Sequence, residues 1–324
     1  MVNTWKPISD LAKSQYGIEV TNVKTMTTGV GGDTFLLEDG QNRFVFKLAD
    51  SNEMNRPEAE PEICSFLLQK GIQVSEFIPN KAGKFVVKTS DGRCGHLQKF
   101  VSGRKFAMNS APDWFMEQSA FLLGRIHSAL CDYPMLPDGI GREFFCYMTK
   151  ENAKQSYQHS LVRAMEEENI DVIRDLEFRI RLIEAFPEMD FDLSRLTFRN
   201  THGDYTVNQI ICDEGEIKAV IDWTSACRHP VVWEVTRSFF YADVSCRNGS
   251  FDEKKYREYV RRYESIQPLT AYDKENLLRL YFYQLAVCDY YGQYFAADAE
   301  KKEEFLEQAV FATKVLMNLK EYML

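Results

Sequence analysis

Two aspartates and an amide side chain stand close together in the second half of the chain. Asp204 lies in a polar loop, His-Gly-Asp-Tyr, and Asp222 follows the apolar run Ile217–Ile221. Gln209 directly precedes another apolar run, Ile210–Cys212. Carboxylate and amide oxygens are donors that a hard cation such as Mg²⁺ accepts, and a loop carboxylate is able to direct a hydroxyl group. These residue types therefore indicate a metal–phosphate site beside an acid.

The two apolar runs predict a β-hairpin, because the Asp-Glu-Gly-Glu stretch between them is a turn signal. We take the register from a pair of Cys212 with Ile217. In that register Gln209 and Asp222 are diagonal neighbours on one face, about 7–8 Å apart at the backbone. Asn208 points to the other face. A lone loop aspartate is more often a cap or turn residue, but a second acid and an amide at the same edge favour a catalytic Asp204.

A glycine-rich stretch near the amino terminus contains Gly29, Gly31 and Gly32 and precedes a predicted strand. Such a stretch is able to bring backbone amides close to phosphates, although glycines before a strand are most often a simple turn. It lacks the Gly-Lys-Ser/Thr ending of a P-loop. A strand follows it where a dinucleotide-binding fold would have a helix, which speaks against that fold.

These residues fall in two parts of different character. Residues 20–100 contain short extended runs separated by turns, among them a strand over Arg43–Leu48 that puts Lys47 on the face opposite its apolar side chains. A helix is predicted over Glu58–Lys70. Beyond about residue 105, apolar residues recur at helical spacing, with amphipathic stretches over 151–185, 252–265, 271–297 and 300–322. The sequence predicts an α+β protein with a β-rich part at 1–100, a connector at 101–104 and a helical part at 105–324.

The composition excludes several classes of protein. The 324 residues are 45% hydrophobic and 27% charged, which is typical of a folded protein. The net charge of −9 speaks against a nucleic-acid partner and is compatible with a cationic substrate. No apolar run approaches ~18 residues, so no membrane partner is expected. The amino terminus lacks an export pattern, and eight scattered cysteines without a Cys-x-x-Cys pair indicate reduced thiols in the cytoplasm and no structural zinc.

The His-Gly-Asp loop, the hairpin and the Ile-Asp-Trp ending resemble the aminoglycoside phosphotransferase and choline kinase superfamily. The resemblance runs over nearly the whole chain and implies a bilobal protein-kinase-like fold, with a small antiparallel-sheet N-lobe and a larger, mainly helical C-lobe. It also implies ATP as co-substrate and Mg²⁺ as metal. In this superfamily the loop aspartate is the catalytic base, here Asp204, and the second aspartate binds Mg²⁺, here Asp222. The loop histidine, here His202, is structural.

The chain departs from the family at one metal ligand. The family usually has asparagine five residues after the catalytic aspartate, and Gln209 occupies that position, with Asn208 one residue early. The spacing from Asp204 in the family and the alternation of faces along the predicted hairpin both favour Gln209 as the second metal ligand. Its longer side chain puts the metal affinity in doubt.

The resemblance assigns further roles in the N-terminal part. Lys47 resembles the kinase lysine that contacts the α- and β-phosphates. Its ion-pair partner is expected on the next helix, at Glu60 or, if the helix starts later, at Glu62. The strand and connector at Lys99, Phe100 and Val101 are similar to the segment whose backbone pairs with adenine.

The acceptor site is the least defined part of the sequence. Aromatic residues are frequent in the segments after Ile-Asp-Trp. With a nearby acid they could enclose a cationic amine. An aromatic stripe on a helix is more often part of the core. The aromatic residues are Phe239, Phe240, Tyr241, Tyr281, Phe282, Tyr283, Tyr290, Tyr291 and Tyr294, with Asp289 beside them. Two other residues, His127 and Glu234, are expected to be structural.

Two functions stay open. The first is an ATP-dependent kinase of a small hydroxyl compound, such as an aminoglycoside, a choline-like amine, a homoserine-like metabolite or a sugar. The second is a kinase-like binding protein for a nucleotide or metabolite with little or no turnover, which the glutamine at position 209 makes plausible. A protein kinase is disfavoured, because the sequence has no Asp-Phe-Gly or Ala-Pro-Glu segment.

Overall fold

The computed structural model describes residues 6–26, 32–49, 56–186 and 191–318. The described residues form two compact units. The first unit holds the chain up to Arg104 together with Gln209–Ser225, and the second holds Lys105–Asn208 and the chain from Ala226 onward. The predicted boundaries of the connector, after residue 100 and before residue 105, stay a prediction. The sequence did not indicate that residues 209–225, which contain the predicted hairpin, belong to the first unit.

The first unit is built on a six-stranded sheet in which all paired strands are antiparallel, as predicted for the N-terminal part. The order is β1-β2-β3-β6-β4, and β5 also pairs with β6. The strands are β1 (Asn22–Met26), β2 (Asp33–Glu38), β3 (Arg43–Ala49), β4 (Phe77–Ile78), β5 (Val86–Lys88) and β6 (Cys94–Lys99).

Strand β3 separates the core of this unit from its polar face. Phe44, Phe46 and Leu48 are all buried, in a cluster that includes Leu97 and residues of the short helix α1 (Lys6–Leu11). Because side chains alternate along a strand, Lys47 lies on the opposite face. The predicted alternation is confirmed, and it leaves the lysine free of the apolar core.

Helix α2 (Ala59–Gln69) crosses the first unit after β3. Its first turn contains Pro61, which is tolerated there because the amide it lacks would have no partner within the helix. The helix ends before Gly71, whose φ of 72° is left-handed, as is common just after a helix. Ile63, Cys64 and Leu67 are fully buried, so α2 is fixed by its apolar side and its first turn is held in place.

The hairpin β8 (Ile210–Asp213) and β9 (Glu216–Val220) forms as predicted, and Cys212 pairs with Ile217. The register inferred beyond that pair was wrong. A β-bulge, in which Lys218 is the extra residue, shifts the pairing so that Ile210 lies opposite Val220.

The second unit is mainly helical, as predicted, with one two-stranded sheet of β7 (Phe198–Thr201) and β10 (Cys227–Pro230). None of the helices in the described ranges is long and apolar enough to span a bilayer. The helices are α3 (Asp113–Ala129), α4 (Arg142–Tyr147), α5 (Lys150–Glu166), α6 (Ile170–Ala185), α7 (Val231–Ala242), α8 (Glu253–Glu264), α9 (Ala271–Val287), α10 (Tyr290–Ala296) and α11 (Ala299–Asn318).

Candidate active site

A charged cluster forms on the polar face of β3 in the first unit. The Nζ of Lys47 lies 3.0 Å from Oδ1 of Asp222 and 3.7 Å from Oε1 of Glu60. The expected ion pair with α2 thus forms through Glu60, which is 3% exposed, whereas Glu62 on the same turn is exposed. Burial by itself lowers the pKa of Lys47, but the carboxylates of Glu60 and Asp222 raise it above its ordinary value. The lysine is therefore held as a cation.

Glu60 connects three elements of this unit. Its Oε1 accepts a hydrogen bond from the backbone N–H of Trp223 at 3.1 Å, and its Oε2 lies 3.2 Å from Nε2 of His96, without an aligned hydrogen bond. Burial raises the pKa of Glu60, but Lys47 and His96 outweigh it and lower the pKa to about 2. The carboxylate is therefore an anion at neutral pH, and it fixes the side chain of Lys47.

His96 is a member of the cluster that the sequence analysis missed. It lies on β6 directly opposite Lys47 and is fully buried. Directly opposite residues of neighbouring strands share a face, so a correct pairing of β3 with β6 would have found it.

Asp222 ends the hairpin with a φ of 65°, in the left-handed region that costs non-glycine residues free energy. Such outliers concentrate at functional sites. Oδ1 of Asp222 accepts hydrogen bonds from Lys47 and from Oγ1 of Thr224 at 2.9 Å. Oδ2 makes no hydrogen bond with any residue in the described ranges, which leaves this oxygen suited to a cation.

Gln209 does not stand where the hairpin parity predicted. The backbone N–H of Ile221 donates to its carbonyl oxygen at 2.9 Å, so Gln209 lies opposite Ile221 and not on the face expected for Asp222. The bulge at Lys218 is the cause, because one extra residue reverses the faces beyond it. The alternation of faces therefore no longer favours Gln209 over Asn208 as the second metal ligand. Only the spacing in the family still favours Gln209.

The glycine-rich stretch is described only in part. Gly29 and Gly31 lie outside the described residues. Gly32 has a φ of 107°, and a Cβ added there would lie 2.6 Å from both Leu48 O and Ala49 Cβ. Close approach of the chain to β3 therefore accounts for the glycine at this position.

The segment expected to pair with adenine follows β6. The N–H of Lys99 donates to Glu76 O at 2.8 Å, and that of Phe100 donates to Arg43 O at 3.0 Å. The N–H of Val101 has no hydrogen-bond partner among the residues that the structure describes. One of the three backbone donors is therefore open to a ligand.

In the second unit, the loop that carries Asp204 is organised by Glu234 on α7. Its Oε1 accepts the N–H of Gly203 at 2.6 Å and that of Tyr205 at 3.4 Å, and its Oε2 accepts the N–H of His202 at 3.3 Å. Three backbone amides of one loop thus converge on one buried carboxylate. Glu234 was expected to be structural, and the segment it stabilises is the aspartate loop.

Buried histidines complete the surroundings of Glu234. Nε2 of His127 lies 2.8 Å from Oε2, and Nε2 of His229 lies 3.9 Å from Oε1. Burial raises the pKa of Glu234, but the two histidines lower it well below its ordinary value. Burial lowers the pKa of His229, but Cys227 and Glu234 raise it to about 9.

Asp204 itself is 30% exposed and pairs with an arginine that the sequence analysis did not identify. Nη1 of Arg237 lies 2.6 Å from Oδ1 of Asp204. Burial lowers the pKa of Arg237, but Asp204 raises it well above its ordinary value. Arg237 comes three residues after Glu234 on α7, so one helix organises the loop backbone and also contacts its carboxylate.

The aromatic residues after the hairpin pack in the interior of the second unit, except Tyr290, which is partly buried. Phe239, Phe240 and Tyr281 have no exposed surface, and Phe282 retains only 2%. Asp289 caps α10 by accepting the N–H of Gly292. The core interpretation of this stripe therefore fits the packing better than an aromatic enclosure for an amine.

Comparison with family models matches residues 22–274 to the phosphotransferase enzyme family. The chain belongs to this family. The resemblance seen in the sequence is therefore confirmed, and with it the class of small-molecule phosphotransferases. A search of curated proteins finds no match.

Solved structures show the same fold at low identity. An amicoumacin kinase in complex with AMP-PNP, Ca²⁺ and amicoumacin has a TM-score of 0.67 at 12% identity, covering 96% of this chain and 92% of that one. A microcompartment-associated aminopropanol kinase reaches 0.63 at 15%, covering 97% of both chains. A spectinomycin phosphotransferase in complex with ADP and spectinomycin reaches 0.62 at 14%, covering 98% of both. The kinase-like fold is confirmed.

Proposed function

We propose that this protein transfers the γ-phosphate of ATP to a hydroxyl group of a small molecule. The proposal depends chiefly on the cluster in which Lys47 is held between Glu60 and Asp222. A buried carboxylate that fixes a lysine cation gives a rigid contact for phosphate oxygens. The structural neighbours named with AMP-PNP and ADP support a nucleotide co-substrate.

The donor set of the first unit fits Mg²⁺. Asp222 offers an oxygen without a hydrogen-bond partner among the described residues, and Gln209, at the position of the family's second ligand, carries an amide oxygen directly before β8. Mg²⁺ usually takes one or two protein oxygens and completes its shell with water and phosphate. Bound there, the cation would neutralise charge on the transferred phosphoryl group. Lys47 would hold the α- and β-phosphates, and Val101 would donate its free N–H to the base.

In the proposed reaction the acceptor oxygen bonds to the γ-phosphorus as the bond to the β–γ bridging oxygen breaks, and ADP leaves. The hydroxyl proton passes to Asp204, whose carboxylate orients the attacking oxygen. Glu234 keeps the loop of Asp204 in one conformation by binding three of its amides. Amino alcohols, aminoglycosides, homoserine-like compounds and sugars are the acceptor classes to screen.

The test is a screen of these compounds with Mg²⁺-ATP, with ADP release and the phosphorylated product measured together. Asp204→Asn should abolish transfer and retain nucleotide binding, because it removes the proton acceptor alone. Asp222→Ala should abolish the Mg²⁺-dependent turnover. Unchanged turnover in Asp204→Asn would remove this residue from the mechanism.

The second function, a kinase-like binding protein with little turnover, is favoured by one observation, the glutamine where the family has asparagine. Its longer stem costs more conformational entropy to fix on a metal. Nucleotide binding without phosphate release in the same screen would support it.

A further inference from the structure

Arg237 is exceptional on its helix. Eleven of the twelve residues of α7 are buried, and the twelfth is Arg237, whose side chain keeps 11% of its surface exposed. An arginine on an otherwise buried helix costs desolvation free energy unless its charge is matched. The charge of Arg237 is matched by Asp204. In the proposed function, this carboxylate orients the hydroxyl group of the acceptor and takes its proton.

The guanidinium group is held in one orientation from two sides. Its central carbon lies 4.5 Å from the ring centroid of Tyr241 and 5.3 Å from that of Trp233. These residues lie four positions after and four positions before Arg237, one helical turn away on the same face. Planar guanidinium groups stack on aromatic rings, so the contact with Asp204 comes from a preorganised group and not from a mobile surface side chain.

This contact has two consequences for Asp204. Oδ1 of Asp204 accepts a hydrogen bond from Nη1 of Arg237 at 2.6 Å, and this bond restricts rotation of the Asp204 side chain. The negative charge of Asp204 is also compensated by a permanent cation. Eight of the nine aromatic residues considered for binding an amine are packed in the core, and the ninth, Tyr290, is partly buried.

We propose that Arg237 is a positioning and specificity residue, which orients Asp204 and favours an acceptor alcohol with no positive charge near its hydroxyl group. The favoured class is a neutral or anionic alcohol, since a cationic amine would meet a fixed cation beside the carboxylate. This inference rests on the proposed function.

The positioning role is tested with water as the acceptor, by measuring Mg²⁺-ATP hydrolysis by the full chain. Arg237→Gln should lower kcat by about 100-fold, the effect of misplacing a reacting group by about 1 Å. The KM for ATP should stay within about twofold, and Arg237→Lys should recover part of the rate. The control Arg257→Gln removes one charge from an exposed arginine of α8 and should behave as wild type. Equal losses in kcat and nucleotide binding, or no loss in kcat, would overturn the positioning role.

The specificity role is tested with three alcohols of matched length, 4-hydroxybutyrate, 1,4-butanediol and 4-amino-1-butanol. Wild type should transfer phosphate to the first two with kcat/KM about tenfold or more above the third, and Arg237→Gln should narrow that ratio by about tenfold. Arg237→Lys, which keeps the charge, should retain the preference even if it slows transfer. A wild-type preference for the amine, or an unchanged ratio in Arg237→Gln, would overturn the specificity role.

The two proposals fail differently. If wild type neither hydrolyses ATP nor phosphorylates any compound, the proposed function fails and takes this inference with it. If Asp204→Asn loses turnover while Arg237→Gln keeps both its rate and its acceptor preference, the proposed function stands and only the role of Arg237 is refuted.

Discussion

Each compact unit has a buried glutamate in its candidate site, and the two glutamates differ in how many backbone amides they bind. Glu60 in the first unit is 3% exposed and contacts two side chains, Lys47 and His96, and one backbone amide, that of Trp223. Glu234 in the second unit is fully buried and binds the backbone amides of His202, Gly203 and Tyr205, with two histidines beside it. The first glutamate positions a charge, whereas the second positions a loop. This difference predicts that the first matters more for ligand binding and the second more for stability.

The largest expected effect is the loss of stability in Glu234→Gln. The substitution replaces the buried carboxylate that binds the loop amides and faces His229 with a neutral amide, so we expect the free energy of unfolding to fall by about 3–5 kcal/mol. Urea unfolding followed by circular dichroism measures it. The control is Glu253→Gln, an exposed acid on α8, which should change stability by less than about 0.5 kcal/mol. A loss no greater than that of the control would show that Glu234 does not stabilise the loop.

Stability should depend on pH at both extremes, for different reasons. The pKa of Glu60 is lowered from 4.5 to about 2, so its contribution is complete above about pH 4.5 and is lost as the pH falls toward 2. The pKa of His229 is raised from 6.5 to about 9, so its contribution is complete below about pH 6.5 and is lost as the pH rises toward 9. Unfolding measured from pH 3 to 10 checks both, and His229→Gln should flatten the alkaline limb alone. An alkaline limb unchanged in this variant would contradict the assignment.

Glu60→Gln should weaken nucleotide binding in addition to lowering stability. Without the anion Lys47 is less firmly held, and we expect the dissociation constant for ATP to rise about tenfold, which is ~1.4 kcal/mol. Titration calorimetry with Mg²⁺ and a nonhydrolysable ATP analogue measures it. Glu62→Gln is the matched control, because Glu62 lies on the same turn of α2 and is exposed. If Glu60→Gln destabilised the protein as much as Glu234→Gln and left nucleotide affinity unchanged, the contrast between the two glutamates would be lost.

The smallest effect is expected at the second metal ligand. Gln209→Ala should raise the Mg²⁺ concentration needed for half-maximal activity by about fivefold, since one neutral oxygen ligand is replaced by water. Asn208→Ala should leave it unchanged. Mg²⁺ titrations of ATP hydrolysis distinguish the two, and the reverse result would assign the ligand to Asn208.

Local patterns in the sequence predicted most of the elements that carry the site. Alternation placed Lys47 opposite the apolar face of β3, and a turn signal between two apolar runs located the hairpin of Asp222. Both depend on periodicity within a few residues, which a single sequence displays directly.

The features that the sequence did not predict depend on distant or irregular contacts. No residue type in the hairpin signals the bulge at Lys218. The bulge adds one residue to β9, so the face expected for Gln209 was wrong. In the first unit His96 contacts Glu60, which is 36 residues away, and in the second unit Arg237 contacts Asp204, which is 33 residues away. Side-chain contacts of that span leave no periodic signal, so they emerge only when strands and helices have been placed.

The chain order of the first unit has a consequence for how the protein is made. Residues 209–225 belong to this unit, and they pair Val220 with Val74 and Cys212 with Arg104. A ribosome must therefore synthesise the chain through residue 225 before the first unit can close. We expect a fragment that stops at Arg104 to be a poor folding unit in isolation, with that part of the nascent chain exposed to chaperones until the hairpin emerges.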